Sequence, residues 1–539
     1  MIGKFHGLLR LAASISLLVA SCWPGVLRAA TTRAWVLDGS GLTSVAANWA
    51  ASDFPNTRDE RAGFGNLPTA TSVTVTVDAG ATINGIEFTG TTTAYALVGS
   101  GAQILTFQDD TGAVDPIISV TGSQANSISG TITMRVNADA ASELSINNNS
   151  SAATGLTIGV PISITGTQNK NLTFGGTSKT LVSGVIQETS SGLLSLTKSG
   201  TGTVVFTADN TYDGTTTISQ GVLESQVASG LGNLGVTLSG GTFSVTTINQ
   251  TYGNIFTVSS ASTIDVGAGV AFTLGNGAND LTGAGRVTKT GTGTLTLGFS
   301  NNHTGGFDMN AGTVLSTATG ALGTGSVTLG GGTLSVTTAN QTYIQIFTAS
   351  SASTIDVGAG VAFTLGNGAN DLTGAGRVTK TGTGTLTLGF SNNHTGGFDM
   401  NAGTVLSTAS GALGTGSVTL GGGTLSVTTA NQSYGQTFTV NSASTIDVGA
   451  GVALTLGNGA NDLTGGGSVT KTGTGTLSLG FSNDHSGGLG INAGTVLSTA
   501  SGGLGTGAIG FGGGTLSITT ADQTYSQVVT MTPDPRLIS

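Results

Sequence analysis

The stretch KTGTGTLTLGFSNNHTGG, from Lys289 to Gly306, decides the fold of this chain. It returns unchanged from Lys380 to Gly397, with small changes from Lys471 to Gly488, and more loosely from Lys198 to Thr215. Each step is 91 residues, and a tyrosine marker keeps the same step at Tyr252, Tyr343, Tyr434 and Tyr525. Self-similarity at a fixed period is the signature of a repeat architecture, so the fold has to be understood from one unit.

Alternation within this stretch predicts a half-buried strand. From Thr288 to Leu297, threonines occupy one side of the strand, and Gly291, Gly293, Leu295 and Leu297 occupy the other. We expect Leu295 and Leu297 to stack on apolar side chains of the coils above and below, each contributing about 1.5–3 kcal/mol when buried. One coil alone cannot offset its loss of conformational entropy, so stability must come from stacked neighbours.

The 91-residue unit divides into roughly four pieces that share a pattern of strand, glycine-containing corner and strand. In the second copy they are STIDVGAGVAFTLGN, GRVTKTGTGTLTLGF, FDMNAGTVLST and SVTLGGGTLSVTT. No helical spacing of apolar residues interrupts them, and parallel strands need crossovers of a dozen or more residues. The sequence therefore predicts an all-β fold, a right-handed parallel β-helix (β-solenoid) with about four coils per 91-residue repeat.

A string of immunoglobulin-like sandwiches is the alternative fold, because 91 residues is close to the length of one such domain. The shorter internal period and the absence of a tryptophan in every copy argue against it.

The unit from Leu281 to Ser316, LTGAGRVTKTGTGTLTLGFSNNHTGGFDMNAGTVLS, resembles the passenger-associated transport repeat of autotransporter proteins. The family motif follows a "TKxGxGtLtLxgxNtytGgttinaGtL" pattern, and the resemblance covers Thr197–Leu223, Thr288–Leu315, Thr379–Leu406 and Thr470–Leu497. It implies a right-handed β-helical passenger that is exported and then displayed or released at the bacterial surface. An autotransporter ends in a membrane β-barrel. Here the repeat gives way to TMTPDPRLIS, so we expect either another export route or a truncated sequence.

The N-terminus has the pattern of an export signal, which we assign to residues 1–30. Lys4 and Arg10 precede an apolar run, and small residues follow. Cleavage near Ala29 or Ala30 would release a soluble chain. Alternatively, the tetrapeptide ending at Cys22, VASC, resembles a lipobox and makes Cys22 the candidate lipidation residue. Cys22 is the only cysteine, so no disulfide framework is expected.

The remaining chain divides into three predicted segments. Residues 31–190 form a non-repeated β-solenoid segment with a cap that contains Trp35 and Trp49. Residues 191–530 hold four tandem 91-residue repeats, the last one incomplete, and residues 531–539 form a tail. Within the first segment, Asp53 to Pro68 carries most of the local charge and two prolines, and we predict a loop there.

Composition and charge restrict the classes of partner. The chain has 91 glycines but only 7 prolines, and 37% of its residues are hydrophobic, which excludes a disordered or collagen-like chain. The net charge is −10, and removing residues 1–30 leaves 13 basic and 26 acidic side chains. Nucleic acid and anionic lipid both require a basic patch, so neither is expected as a partner. The remaining candidates are surface glycans or other cell-surface proteins, with the membrane reached only through the signal or a lipid anchor.

One constellation could carry chemistry: His303 with Asp308, Arg286 and Lys289. The third copy keeps it as His394, Asp399, Arg377 and Lys380; the fourth keeps His485 but has Gly490 and Ser468, and the first has Tyr212 in place of the histidine. Residues 259–343 and 350–434 differ only at Thr319/Ser410 and Thr342/Ser433, so any site there would be duplicated. We interpret these residues as exposed turn residues.

Two further groups of acids are candidates for a site. LGNGANDLTG, Leu274 to Gly283, weakly resembles a calcium-binding nonapeptide, with Asp280, Asp371 and Asp462 in register. That motif must repeat every nine residues, so a corner with a capping Asp and a left-handed Asn fits better. In the non-repeated part, the acids Asp109, Asp110, Asp115 and Glu143 lack diagnostic spacing and are interpreted as loop residues.

The sequence thus predicts an exported, non-catalytic β-solenoid with a structural or adhesive role, secreted or at the outer surface of a bacterium. No catalytic, cofactor-binding or metal-binding residue is assigned. The alternative is a β-helical polysaccharide lyase or hydrolase, which would need clustered carboxylates.

Overall fold

The computed structural model describes residues 30–50, 53–108, 115–137, 143–275, 277–366, 368–457, 459–519 and 522–531. Cys22 and nearly all of the predicted signal, Asp109, Asp110, and residues 532–539 of the predicted tail lie outside these ranges. Strands pair in parallel throughout, from Thr31–Ala34 against Glu60–Phe64 to Ile509–Phe511 against Val529–Met531. The predicted β-solenoid is confirmed. The sandwich alternative is wrong, because its sheets would be antiparallel.

The solenoid has three faces, which the chain visits in a fixed order. Face one contains Thr31–Ala34, Glu60–Phe64, Gly85–Phe88, Ile117–Val120, Glu143–Asn148, Lys170–Gly176, Leu194–Lys198, Thr216–Ile218, Val236–Ser239, Phe256–Ser260, Leu281–Thr282, Gln341–Tyr343, Ala362–Leu365, Thr385–Leu388, Thr404–Ser407, Thr424–Val427, Ser444–Val448, Val469–Thr472, Leu489–Ile491, Ile509–Phe511 and Val529–Met531.

Face two contains Gly41–Leu42, Ser72–Val77, Leu156–Ile158, Thr180–Val182, Thr203–Phe206, Val222–Ser225, Thr242–Val245, Ser262–Val266, Val287–Thr290, Phe307–Met309, Val327–Leu329, Phe347–Ala349, Leu372–Thr373, Gln432–Tyr434, Ala453–Leu456, Thr476–Leu479, Thr495–Ser498 and Thr515–Ile518. Two long strands, Ala94–Phe107 and Asn126–Asn137, bend around the corner from face two to face three.

Face three contains Ala81–Ile83, Ile162–Thr165, Ile186–Glu188, Gln250–Tyr252, Ala271–Leu274, Thr294–Leu297, Thr313–Ser316, Thr333–Val336, Ser353–Val357, Val378–Thr381, Phe398–Met400, Val418–Leu420, Phe438–Val440 and Leu463–Thr464. The described helical content is one 3-10 turn, Ala46–Asn48, far shorter than a membrane-spanning helix.

The core is a continuous stack of side chains along the inside of the three faces. Leu295 and Leu297 are buried, as the alternation predicts, while Thr294 and Thr296, which alternate with them, lie half-buried on the outside. Coil length varies within the repeats. Leu295 pairs with Val314 at the end of a short coil, whereas Ile264 pairs with Lys289 at the end of a longer one.

Each copy interrupts one face with two successive strand-free segments. In the second copy these are residues 298–306 and 317–326, and they interrupt face one between Leu281–Thr282 and Gln341–Tyr343. The same segments interrupt face two in the third copy, at 389–397 and 408–417. They interrupt face three in the first copy, at 207–215 and 226–235, and again in the fourth, at 480–488 and 499–508.

This rotation shows that a repeat is not a whole number of coils. Thirteen coils separate Thr203–Phe206 from its equivalent Thr476–Leu479, which lies three repeats further along the chain and on the same face. The mean coil is therefore about 21 residues long, and one repeat makes four and one third coils. The predicted value of about four is close, but the additional third turns each copy by about 120° relative to the previous one.

The first coils are closed by aromatic packing. Trp35 and Trp49 are buried, with ring centroids 5.3 Å apart, and both contact Phe64. The loop predicted for Asp53 to Pro68 is wrong in its centre, where Glu60–Phe64 is a strand of face one. Its charges did not signal a loop, because Arg33 pairs with Glu60 across adjacent coils.

Candidate functional site

His303, His394 and His485 occupy the first strand-free segment of their copies and are fully buried. The prediction that they are exposed turn residues is wrong. The ring Nε2 of His394 lies 2.6 Å from the Gly376 carbonyl oxygen, and His303 and His485 make the same contact with Gly285 and Gly467. Nδ1 has no partner among the described residues, and burial lowers the pKa of all three rings. These contacts fit a neutral imidazole that donates to a backbone carbonyl inside the solenoid.

A buried asparagine connects the first strand-free segment of each copy to the coils on either side. The Oδ1 atom of Asn301 accepts from the Leu281 amide at 2.9 Å, and its Nδ2 donates to the Ala321 carbonyl at 2.7 Å. Asn392 and Asn483 make the same pair of bonds, and Asn210 does so in the first copy. The side-chain amide thereby replaces the backbone ladder where the strand is missing.

The period-marking lysines are buried as well, at the corner from face two to face three in the second copy. Lys289 Nζ donates to the carbonyls of Thr290 at 2.6 Å, Gly291 at 2.8 Å and Ala311 at 3.3 Å. Desolvation lowers the pKa of Lys198, Lys289 and Lys380 to about 8, and lowers that of Lys471 too. The prediction that Lys289 is an exposed turn residue is therefore also wrong, because alternation places it on the inner side of the strand Val287–Thr290.

Arg286 and Asp308 form an ion pair on the outside of face two. Arg286 Nε donates to Asp308 Oδ2 at 2.7 Å, and the guanidinium also donates to Thr328 Oγ1 at 2.7 Å. Although burial opposes the shift, the hydrogen bonds that the Asp308 carboxylate makes with Arg286 and Thr328 lower its pKa. Arg377 and Asp399 repeat the arrangement in the third copy. The ion pair, the buried lysine and the buried histidine therefore occupy separate environments and do not converge on one site.

The Asp280 corner has the predicted capped geometry. Asn279 adopts a left-handed φ of 66°, and Asp280 is buried with its Oδ2 accepting from the Gly277 amide at 3.3 Å. Asn370 with Asp371 and Asn461 with Asp462 repeat this corner. Among the described residues, no three His, Cys, Asp or Glu side chains are grouped to hold a metal.

Of the four candidate acids of the non-repeated part, the two that the structure describes, Asp115 and Glu143, take part in hydrogen bonds of the fold. Glu143 accepts a hydrogen bond from Asn171 Nδ2 at 3.3 Å and another from the Thr173 hydroxyl. Asp115 accepts from the Glu143 amide at 3.4 Å.

The sequence patterns did not reveal the exposed aromatic that lies four residues before each buried histidine. Phe299, Phe390 and Phe481 follow the last strand before the segment and keep 42%, 41% and 42% of their surface exposed. Each ring lies against a glycine of the preceding coil; a Cβ on Gly366 would approach Phe390 Cδ2 to 3.2 Å. The sequence feature that could have indicated these residues is the phenylalanine directly after TLTLG or TLSLG, at the point where the alternation of inward-facing and outward-facing residues ends.

A polar cavity of about 300 Å³ opens at the second strand-free segment of the first copy. Ser229, Asn233, Thr251 and Asn254 provide its polar lining. The later copies have Gln345, Gln436 and Gln527 in place of Asn254, and each glutamine reaches a carbonyl of this segment through its Nε2. Asn254 is one methylene shorter than these glutamines, and its Nδ2 donates to the equivalent Gly232 carbonyl at 3.2 Å.

The segments just described coincide with a known repeat family. The passenger-associated-transport-repeat model matches residues 196–224, 287–315, 378–406 and 469–497. The chain contains four passenger-associated transport repeats. Each matched transport repeat contains the buried lysine and the first strand-free segment, with its bridging asparagine.

One curated relative of this chain is an autotransporter adhesin. It is described as "Adhesin BmaC autotransporter" of Brucella suis biovar 1 (strain 1330), and it is 38% identical over 132 residues. The match covers 24% of this chain and 4% of that relative. No solved structure matches the chain.

Proposed function

We propose that this chain is a surface-displayed or secreted passenger-type β-solenoid with a non-catalytic, structural or adhesive role. The observation that carries the proposal is the set of four transport repeats, together with the similarity to an autotransporter adhesin. The polar groups inside each repeat support it, because their hydrogen bonds hold neighbouring coils together. Such a rod sets reach from its anchor and offers repeated positions for multivalent contact.

The proposal is tested with beads that carry the full chain, overlaid on intact bacterial and animal cells under flow. We expect more beads to be retained than with an uncoated surface, and we expect soluble chain to compete for retention. Absence of retention on every cell type would contradict the adhesive role and leave the structural one. Release of reducing ends or unsaturated sugars from a polysaccharide panel would contradict the non-catalytic role.

A further inference from the structure

Phe299, Phe390 and Phe481 are aromatic rings held in exposed positions, one in each of the last three repeats. The glycine beneath each ring, Gly275 for Phe299, leaves room for it to lie on the backbone of the preceding coil. Large aromatics usually contribute to a core, and an aromatic left two-fifths exposed at the same position of three copies offers apolar area to a partner. The first copy has Ala208 at this position and supplies a natural comparison.

Because one repeat makes four and one third coils, the three rings lie on different edges of the solenoid. Phe299 follows a strand of face three, Phe390 a strand of face one, and Phe481 a strand of face two. Each ring therefore lies on its own edge. At about 4.8 Å per coil, successive rings are about 21 Å apart along the axis.

The surroundings of the rings indicate the chemistry of the partner. The exposed side chains that follow Phe299 in the chain, Ser300, Asn302 and Thr304, are hydroxyls and an amide without charge, and the third copy repeats this set. The fourth copy has one exposed carboxylate, Asp484, in place of Asn302. The chain is net acidic, which disfavours a polyanion. A standard protein interface needs about 800 Å² on each partner around an apolar centre, which a single ring does not supply. A neutral sugar has a C–H face that can pack on one aromatic ring and a rim of hydroxyls that can pair with these polar groups.

We propose that Phe299, Phe390 and Phe481 are three stacking sites for neutral polysaccharide chains, directed outward from the three edges of the rod. This inference rests on the adhesive role proposed above and specifies its ligand class. Because one straight glycan cannot follow all three edges, each rod can engage chains from several directions and bridge between them. Weak single sites then act together through avidity.

The experiment is affinity electrophoresis of the full chain through gels that contain dextran, yeast mannan, galactomannan or xyloglucan, with hyaluronate as the polyanion. We expect retardation by at least one neutral polymer. We expect the combined variant F299A/F390A/F481A to bind that polymer about tenfold or more weakly, since avidity multiplies the loss of single sites.

Three matched variants accompany the test. I344A/I346A removes exposed apolar side chains that are not aromatic, and N254Q changes the cavity of the first copy; neither should alter retardation. A208F adds a ring on the edge that carries Phe481 and should strengthen binding. Retardation by no neutral polymer, stronger retardation by hyaluronate, or unchanged retardation of the triple variant would overturn the proposal.

The same variants separate this inference from the proposed function. If wild-type beads adhere to cells and the triple variant adheres equally well, the stacking sites are wrong and the adhesive role stands. If no beads adhere to cells while the gel retardation depends on the three rings, the adhesive role is wrong and the stacking sites stand.

Discussion

Single polar residues inside the solenoid hold together the coils that lack strands. Asn301 provides both the acceptor for the Leu281 amide and the donor for the Ala321 carbonyl, and it is buried. Its neighbour Asn302 is exposed. Adjacent residues of the same type therefore have opposite structural importance.

Replacing Asn301 by Ala should leave two buried backbone groups unpaired, at a cost of about 1–3 kcal/mol each. Because coils in a solenoid are stabilised by their neighbours, we expect faster amide exchange from Leu281 to Ala321 rather than global unfolding. Hydrogen exchange with mass spectrometry provides the measurement. Asn302→Ala is the control, and equal protection loss in both variants would contradict the bridging role.

The buried lysines and tyrosines give the protein an unusual dependence on pH. Desolvation lowers the pKa of Lys289 from 10.5 to about 8, so between these values the unfolded chain binds more protons than the folded one. Stability then rises with pH across this interval. Burial also raises the pKa of Tyr95, Tyr252 and Tyr434 to about 12, so above pH 10 the unfolded chain loses protons that the folded one keeps. Stability falls there.

We therefore expect the urea midpoint of the full chain to pass through a maximum near pH 10. Replacing Lys289 and Lys380 by Met should reduce the rise between pH 8 and 10, since two of the buried amines are then absent. Urea titrations at half-unit pH intervals provide the test. A midpoint that falls steadily from pH 7.5 to pH 10 would contradict the shifted lysine pKa values.

At the scale of the element, glycines determine where a strand can turn into the next face. Gly291 has a φ of 67°, and a Cβ there would overlap the Val266 carbonyl oxygen of the adjacent coil. Gly269 has a similar φ of 72°, but a Cβ added there would meet no heavy atom within 4 Å. A Cβ at Gly269 would therefore add only the conformational cost of a left-handed residue, whereas a Cβ at Gly291 would add a steric collision between coils as well.

Gly269→Ala should cost about 1–2 kcal/mol, the penalty for a left-handed residue with a Cβ. Gly291→Ala should cost clearly more, because the added carbon collides with the adjacent coil. The free energy of unfolding from urea titration measures both. Equal losses would show that the corners tolerate this collision by shifting the coils.

The strands and corners of the repeat were largely predictable from the sequence, and the predictions that failed did so for physical reasons. Alternation at Leu295 and Leu297 and the Asn279 corner follow from local chemistry, and both are confirmed. The burial of His303 and Lys289 depends on carbonyls of other coils, which a local pattern does not specify. Side-chain pairing between coils likewise turned the predicted loop around Glu60 into a strand.

At the scale of the whole molecule, the additional one third of a coil per repeat determines on which side of the rod equivalent surface residues lie. A repeat of four whole coils would align equivalent residues along one side of the rod. The observed sequence of interrupted faces (three, one, two, three) turns each copy by about 120° and returns to the same face after 13 coils. The coils differ in length, so no single short period runs through the repeat. For this reason the rotation of each copy relative to the previous one could not be predicted from the sequence.

The most direct test of this arrangement is a distance between spin labels at Asn302→Cys and Asn393→Cys, in a chain with Cys22 replaced by Ser. Both positions are exposed and equivalent in successive copies. A face of about seven residues spans about 23 Å, and successive copies rise by about 21 Å, so pulsed electron paramagnetic resonance should give about 31 Å. A distance equal to the axial rise alone would mean that the copies align on one side, and it would contradict both the rotating repeat and the three-edged binding surface.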